Sequence, residues 1–188
     1  MIQEKNYLVL NELAEKDGTV IFGGKEDMSI PLCELKQAFG LDSKFYNRSS
    51  DNINITNAKE LYESCVAPLE PDTVLLHIGE NDLDLFSKAP DKFINLYREL
   101  ISKSRSENPK CRIVIVSLKN YEGDIIKARL NEQLTYLADS ERCEFADIAE
   151  KKVWNPIGTR NAVAFAYSLG LKVQKPIYDL AKILFCYG

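Results

Sequence analysis

A carboxamide and a carboxylate follow a strongly apolar run near the middle of the chain. The run over residues 74–78 ends at Gly79, and Asn81 and Asp82 come just after it. Such a run is typical of a buried strand, and in α/β folds ligands bind at the carboxyl ends of strands. We therefore predict that Asn81 and Asp82 lie at the tip of a sheet, where an amide can donate hydrogen bonds and a carboxylate can accept them.

The single histidine of the chain, His77, belongs to the same run. It precedes Gly79 by two positions, and because side chains alternate along a strand, both positions face the same side of the sheet. No carboxylate adjacent in sequence could orient this imidazole as a general base. We therefore expect His77 to be a core residue or a hydrogen-bonded residue of the strand, although it is the one candidate base.

Strand-like and helix-like patterns alternate along the chain, which is typical of a parallel sheet covered on both faces. Apolar runs predict strands at residues 19–22, 44–46, 73–78, 112–118 and 144–148, and helical spacing predicts C-terminal helices at 162–169 and 177–185. The sequence thus predicts one α/β domain over residues 1–188, a three-layer α/β/α sandwich with a five-stranded parallel sheet. An amphipathic segment with Tyr7, Leu8, Leu10 and Leu13 is expected to pack on that sheet.

Composition excludes several classes of function. The chain has 188 residues, 45% of them hydrophobic, and a formal net charge of −4. Its basic residues are scattered, which disfavours nucleic-acid binding, and no apolar run approaches the roughly 20 residues that span a bilayer. The N-terminus has no basic region followed by an apolar one, as a signal peptide would. We predict a cytoplasmic protein that contacts neither nucleic acid nor membrane.

The five cysteines are far apart and never occur in a Cys-x-x-Cys spacing. Neither a disulfide framework nor a zinc site is indicated by that pattern. Buried, reduced thiols are the expectation. The sequence predicts no metal and no cofactor.

Three segments together resemble the signature blocks of the SGNH (GDSL-type) hydrolases. The run 79–82, Gly-Glu-Asn-Asp, is similar to the third block, in which the Asn donates to the oxyanion hole. Residues 23–35 fit the register of the first block, with Lys25 at the position of the nucleophilic serine and Gly24 at that of the aspartate. The turn 47–53 is similar to the second block, with Asn52 at the position of the oxyanion-hole glycine.

The resemblance covers about residues 18–170 and implies the flavodoxin-like fold of that family, with a C-terminal helical extension at 171–188. The sequence departs from the family at the catalytic positions. The fifth block should supply an Asp-x-x-His, yet residues 149–158 contain no histidine. Loss of both nucleophile and base costs several orders of magnitude in rate, so the resemblance implies a catalytically degenerate member.

Under this leading hypothesis the former active-site edge binds a small polar or anionic ligand, one that bears a carboxylate, phosphate or acyl group, or else a protein partner. The candidate ligand-binding or oxyanion residues are Gly23, Gly24, Lys25, Asn52, Gly79, Asn81 and Asp82. An ammonium at position 25 would favour an anion over a neutral ester carbonyl. Alternatively, Lys25 pairs with Asp82 or Asp27 and fills the vacated space.

Two other hypotheses stay open. The second is an active esterase or acyl hydrolase with a non-standard site, which uses Ser29 or a water assisted by Lys25. Ser29 becomes the nucleophile in a shifted alignment over residues 27–29, although this alignment inserts four residues into a tight turn. Otherwise Ser29 is a helix-capping or loop serine. A structural or assembly role is the third hypothesis, with a binding surface on residues 170–188.

Overall fold

A computed structural model of the protein describes residues 2–150 and 177–186. The strands of this part are β1 (Thr19–Gly23), β2 (Phe45–Asn47), β3 (Thr73–His77), β4 (Arg112–Val116) and β5 (Glu144–Ala146). All are parallel and form one sheet in the order β2-β1-β3-β4-β5. The expected five-stranded parallel sheet is confirmed.

Helices connect the strands and cover the sheet. They are α1 (Ile2–Leu13), α2 (Leu32–Phe39), α3 (Ala58–Leu61), α4 (Leu83–Lys88), α5 (Pro90–Glu107), α6 (Ile125–Ser140) and α7 (Ile177–Cys186). A π-helical turn at Tyr62–Val66 and a 3-10 turn at Ala67–Leu69 extend α3. Further 3-10 turns follow β1 at Glu26–Ser29 and β3 at Glu80–Asp82. The helix expected at 162–169 lies outside the described residues.

Two apolar clusters, one on each face, explain the three layers. On one face Val74 and Leu76 of β3 pack with buried residues of α3, α5 and α6. On the other face Leu75 packs with α2 and α7, through residues such as Phe185. Alternate residues of one strand therefore pack into opposite clusters, which is why residues 74–76 of β3 are all apolar rather than alternating.

Strand register brings the candidate turns together. Gly23, the last residue of β1, pairs with His77, the last residue of β3. On the other side of β1, Ile21 pairs with Asn47 at the end of β2. The turns after β1, β2 and β3 therefore meet at one edge of the sheet, as the order of the sequence blocks predicts.

The N-terminal helix corrects one expectation. α1 turns polar side chains toward the protein, because Tyr7 donates to the carbonyl of Ser49 at 2.6 Å and Asn11 accepts from the Arg48 guanidinium at 2.8 and 3.0 Å. The apolar side chains at positions 8, 10 and 13 are 47%, 48% and 79% exposed and do not pack on the sheet. Arg48 itself is buried against the rings of Tyr7 and Tyr46, and this burial lowers its pKa.

No helix within residues 2–150 and 177–186 combines the length and the apolar character needed to cross a bilayer.

Candidate functional site

The turn after β1 is built around a buried carboxylate. Asp27 is 1% exposed, and its Oδ2 accepts a hydrogen bond from the backbone N–H of Gly24 at 3.1 Å. The carboxylate fills the space beside Gly23, where an added Cβ would lie 2.0 Å from Asp27 Oδ2 and 2.9 Å from the carbonyl oxygen of His77. Glycine is therefore required at position 23. Gly24 has open space around it.

His77 is the partner of that carboxylate. Its Nδ1 lies 2.8 Å from Asp27 Oδ2, and the imidazole is 7% exposed. The ring of Phe185 on α7 packs edge-on against it, with ring centroids 4.8 Å apart. The expectation of a hydrogen-bonded strand histidine is confirmed, whereas the role of Asp27 was missed because 50 residues separate it from His77.

Both members of this pair keep one polar atom without a partner. Asp27 Oδ1 and His77 Nε2 are buried and form no hydrogen bond with the described residues. Nε2 is the atom that serves as the base in a serine–histidine pair. Here it faces the interior under α7, and no serine hydroxyl reaches it in the described part of the chain.

The turn after β2 is tied to the turn after β1. Asn47 donates its amide to the carbonyl of Asp27 at 2.6 Å, and its Oδ1 accepts from the N–H of Ser49 at 3.0 Å. Ser49 Oγ in turn accepts from the N–H of Gly23 at 3.2 Å. Farther along this loop Asn52 is exposed and its φ is not positive, so its side chain replaces glycine there without strain.

Asn81 lies at the tip of the sheet as predicted, but its amide is already engaged. Its Nδ2 donates to the carbonyls of Ile53 at 2.7 Å and Asp51 at 3.2 Å. An amide nitrogen carries only two hydrogens. Donation to an oxyanion would therefore require Asn81 to release one of these carbonyls.

Asp82 also hydrogen-bonds to the loop that Asn81 contacts. It is 2% exposed, and both of its carboxylate oxygens lie 3.0 Å from the N–H of Ile55. Burial raises the pKa of Asp82 to about 6, although the hydrogen bond from Ile55 opposes this shift. Gly79, which begins the turn, has a φ of 139°, a conformation that only glycine adopts readily. Together Asn81 and Asp82 fix residues 51–55 against β3.

The two candidate replacements for the nucleophile are both on the surface. Ser29 donates its hydroxyl to the carbonyl of Glu26 at 2.8 Å, closing its own turn. Lys25 is exposed and forms no ion pair with any described residue, so the expected pairing with Asp27 or Asp82 is not made. Neither side chain contacts His77.

A cleft of about 500 Å³ opens beside this turn, between Glu26–Ser29 and the loop from β4 to α6. Its walls are Glu26, Ser29, the loop residues 119–122, Asp124 and Lys127. The Lys119 ammonium lies 3.6 Å from Glu26, and Lys127 pairs with Glu80. Sequence analysis missed this cleft, because residues 119–127 match none of the family's blocks.

Comparison with solved structures places the fold. One neighbour, described as a platelet activating factor from Streptococcus pneumonia, superposes with a TM-score of 0.65 at 15% identity, covering 89% of this chain and 90% of that one. A GDSL-like lipase from Bacteroides thetaiotaomicron gives 0.62 at 13% identity, with 89% and 98% covered. The acetyl xylan esterase AlAXEase gives 0.60 at 16% identity, with 80% and 98% covered. The fold is that of the SGNH hydrolases.

This SGNH fold is recognised from structure and not from overall sequence similarity. No family model matches the sequence, and no curated protein matches it significantly. Within the described residues, no group of three or more histidine, cysteine, aspartate or glutamate side chains could hold a metal ion. In the SGNH fold the edge described above is where the strand ends and turns converge, which makes it the candidate functional site.

Proposed function

We propose that this chain is a catalytically degenerate SGNH-fold protein that binds a small polar ligand at the carboxyl edge of its sheet. Its binding region is the cleft between the turn after β1 and the loop after β4. Ester hydrolysis by a serine–histidine pair is not part of this function. Ligands that bear an acyl group remain candidates, since solved neighbours are described as GDSL-like lipases and acetyl xylan esterases.

The burial of His77 Nε2, out of reach of any serine hydroxyl in the described part of the chain, carries this proposal. A serine is a weak nucleophile unless a base removes its proton. Nε2 of the one histidine in the chain is buried and bonds to no described residue, and the hydroxyl of Ser29 donates to the carbonyl of Glu26 instead. An imidazole that is 7% exposed under Phe185 cannot reach a surface ester without movement of α7.

Retention of a binding role is supported by the cleft. Its volume of about 500 Å³ is in the range of small-molecule sites, roughly 300–1,000 Å³. The residues of the third sequence block are not available to this ligand. The side chains of Asn81 and Asp82 hydrogen-bond to the loop 51–55. The polar side chains that can face a ligand are therefore those that line the cleft.

A hydrolysis assay with p-nitrophenyl acetate and p-nitrophenyl butyrate tests the catalytic half of the proposal. We expect the purified protein to give no rate above background, and a fluorophosphonate probe for activated serines to leave it unlabelled. An active GDSL-type esterase in the same assay serves as the positive control. Wild type and a Ser29→Ala variant should be indistinguishable.

Turnover in the wild type that is lost in Ser29→Ala would overturn the proposal in favour of an active hydrolase. Turnover that survives Ser29→Ala but is lost in His77→Gln would instead assign the chemistry to the buried pair. Thermal unfolding of each variant shows whether a lost rate reflects loss of the fold.

A further inference from the structure

We infer that the outward face of α1 is the interface of a symmetric dimer, formed when the same helix of a second copy of this chain packs antiparallel against it. The face consists of five exposed residues, Lys5, Leu8, Val9, Glu12 and Leu13. Helix residues three or four positions apart are neighbours on the helix surface, so these side chains lie side by side. None of them lines the cleft described above, and the inference does not depend on the ligand of that cleft.

The polarity of α1 is the reverse of that usual for a helix at a protein surface. Its inward side is polar, because Tyr7 donates to one backbone carbonyl at 2.6 Å and Asn11 donates to another at 2.9 Å. Its outward side presents Leu8, Val9 and Leu13, which are 47%, 59% and 79% exposed. Single exposed apolar side chains are common, whereas a contiguous group on one face is typical of an interaction site. The outward face of α1 therefore has the character of an interface.

Two charged residues of this face identify a second copy as the occupant. Lys5 precedes Leu8 and Val9 by one helical turn, and Glu12 follows them by one turn. Neither charge forms an ion pair with another residue in the described part of the chain. In a symmetric antiparallel pair centred on Leu8 and Val9, Lys5 of each copy faces Glu12 of the other. A parallel pair would instead oppose like charges.

A membrane surface fits this face less well. Helices that lie on a membrane carry lysines and arginines on their polar side, which anionic lipids attract. α1 contains one lysine and two glutamates, so its side chains are negative overall. The charges that follow it, Glu15 and Lys16, are already paired with Lys44 and Glu70 of the same chain. A protein surface with matching charges, which a second copy supplies, is therefore the favoured occupant.

Buried groups hold α1 in this orientation. Asn11 accepts from the Arg48 guanidinium at 2.8 and 3.0 Å, and Arg48 is itself buried against the rings of Tyr7 and Tyr46. Because α1 is already fixed with its apolar side outward, dimerisation does not have to order it. A helix of 12 residues is only about 18 Å long, so the contact area is small. Small interfaces are typical of weak association, and we expect a dissociation constant in the micromolar range.

Sedimentation equilibrium of the full chain over about 1 to 300 µM tests this inference. We expect the wild type to show a monomer–dimer equilibrium. Val9→Gln places an amide at the apolar centre of the interface and should raise the dissociation constant about tenfold or more. Ile125→Gln is the matched control, because Ile125 on α6 is 76% exposed and lies outside the face. This control should dimerise like the wild type, and thermal unfolding shows that each variant is folded.

Charge reversal tests the antiparallel geometry itself. Lys5→Glu and Glu12→Lys each place like charges opposite one another in the homodimer. Each variant alone should therefore dimerise about tenfold more weakly than the wild type. An equimolar mixture of the two variants restores opposite charges at both positions and should associate about as strongly as the wild type.

Three outcomes would overturn this inference. The first is a wild type that stays monomeric over the whole range, or a dimer that Val9→Gln leaves unchanged. The second is a mixture of the two charge-reversed variants that associates no better than either variant alone. The third is binding of the wild type to phosphatidylcholine vesicles that is lost in Val9→Gln, which would assign the face to a membrane.

Discussion

Nδ1 of His77 and Oδ2 of Asp27 lie 2.8 Å apart inside the protein, joining the end of β3 to the turn after β1. Both residues are at least nine-tenths buried, with exposed fractions of 7% and 1%. The role of the pair is to fix that turn to the sheet.

A double-mutant cycle with Asp27→Ala and His77→Ala measures this role. Removal of either partner should destabilise the fold strongly, because the other is left buried and unsatisfied. We expect a coupling free energy of about 1 to 3 kcal/mol from urea unfolding of the four proteins. Additive effects of the two substitutions would show that the contact does not stabilise the fold. The exposed pair Lys88 and Asp84 on α4 is a control cycle, with a coupling expected below about 0.5 kcal/mol.

Position 23 offers a second test of the same turn. Gly23→Ala places a methyl group 2.0 Å from Asp27 Oδ2 and 2.9 Å from the backbone of His77, so the carboxylate must move. Overpacking of this kind costs typically 1–3 kcal/mol, and we expect a loss of about that size in the free energy of unfolding. Gly24→Ala is the matched control, because nothing lies within 4 Å of its added Cβ. Equal stabilities of the two variants would rule out the steric argument.

The sheet could be predicted from sequence because its signal is local. Residues 74–76 and 113–116 are apolar and buried on both faces, and each run by itself indicates a buried parallel strand. The placement of Asn81 after β3 follows from the same pattern. The hydrogen-bond partners of that amide could not be predicted in this way, because its acceptors Ile53 and Asp51 belong to a loop 28 and 30 residues away in sequence.

The expectation for α1 was wrong because long-range polar contacts decide which face of this helix points inward. The apolar positions of α1 suggested a face packed on the sheet, yet Tyr7 and Asn11 face inward because buried Arg48 and the carbonyl of Ser49 need their polar groups. Satisfying a buried guanidinium is worth more than covering a few leucines. Such long-range polar contacts leave no periodic trace in the chain.

Asp82 predicts a specific dependence of stability on pH. Its pKa is about 6 in the folded protein and 3.8 in the unfolded reference, so the fold favours the protonated form. Its contribution to stability is complete below about pH 4 and is lost as the pH rises through 6. The loss amounts to about 3 kcal/mol at most. Asp82→Asn, which mimics the neutral carboxyl group, should lack this part of the pH dependence.

Urea unfolding of both proteins between about pH 4 and pH 7 measures the difference. The stability of wild type relative to Asp82→Asn should fall across that interval. Asp51→Asn, at an exposed position of the neighbouring loop, is the control and should follow the wild type. A constant difference between wild type and Asp82→Asn over the whole interval would contradict a raised pKa.

Lys25 stands where the nucleophile of an SGNH hydrolase would be expected, and its surroundings predict little energetic role. It is exposed and has no ion pair within residues 2–150 and 177–186. Lys25→Ala should therefore change the free energy of unfolding by less than about 0.5 kcal/mol. Since the amide of Asn81 is already bonded to two carbonyls, it is not available to bind an anion together with the ammonium. Thermal shifts produced by acetate or phosphate should be the same in wild type and variant. A shift seen only in the wild type would identify Lys25 as an anion contact, because a ligand stabilises the folded state in proportion to its affinity.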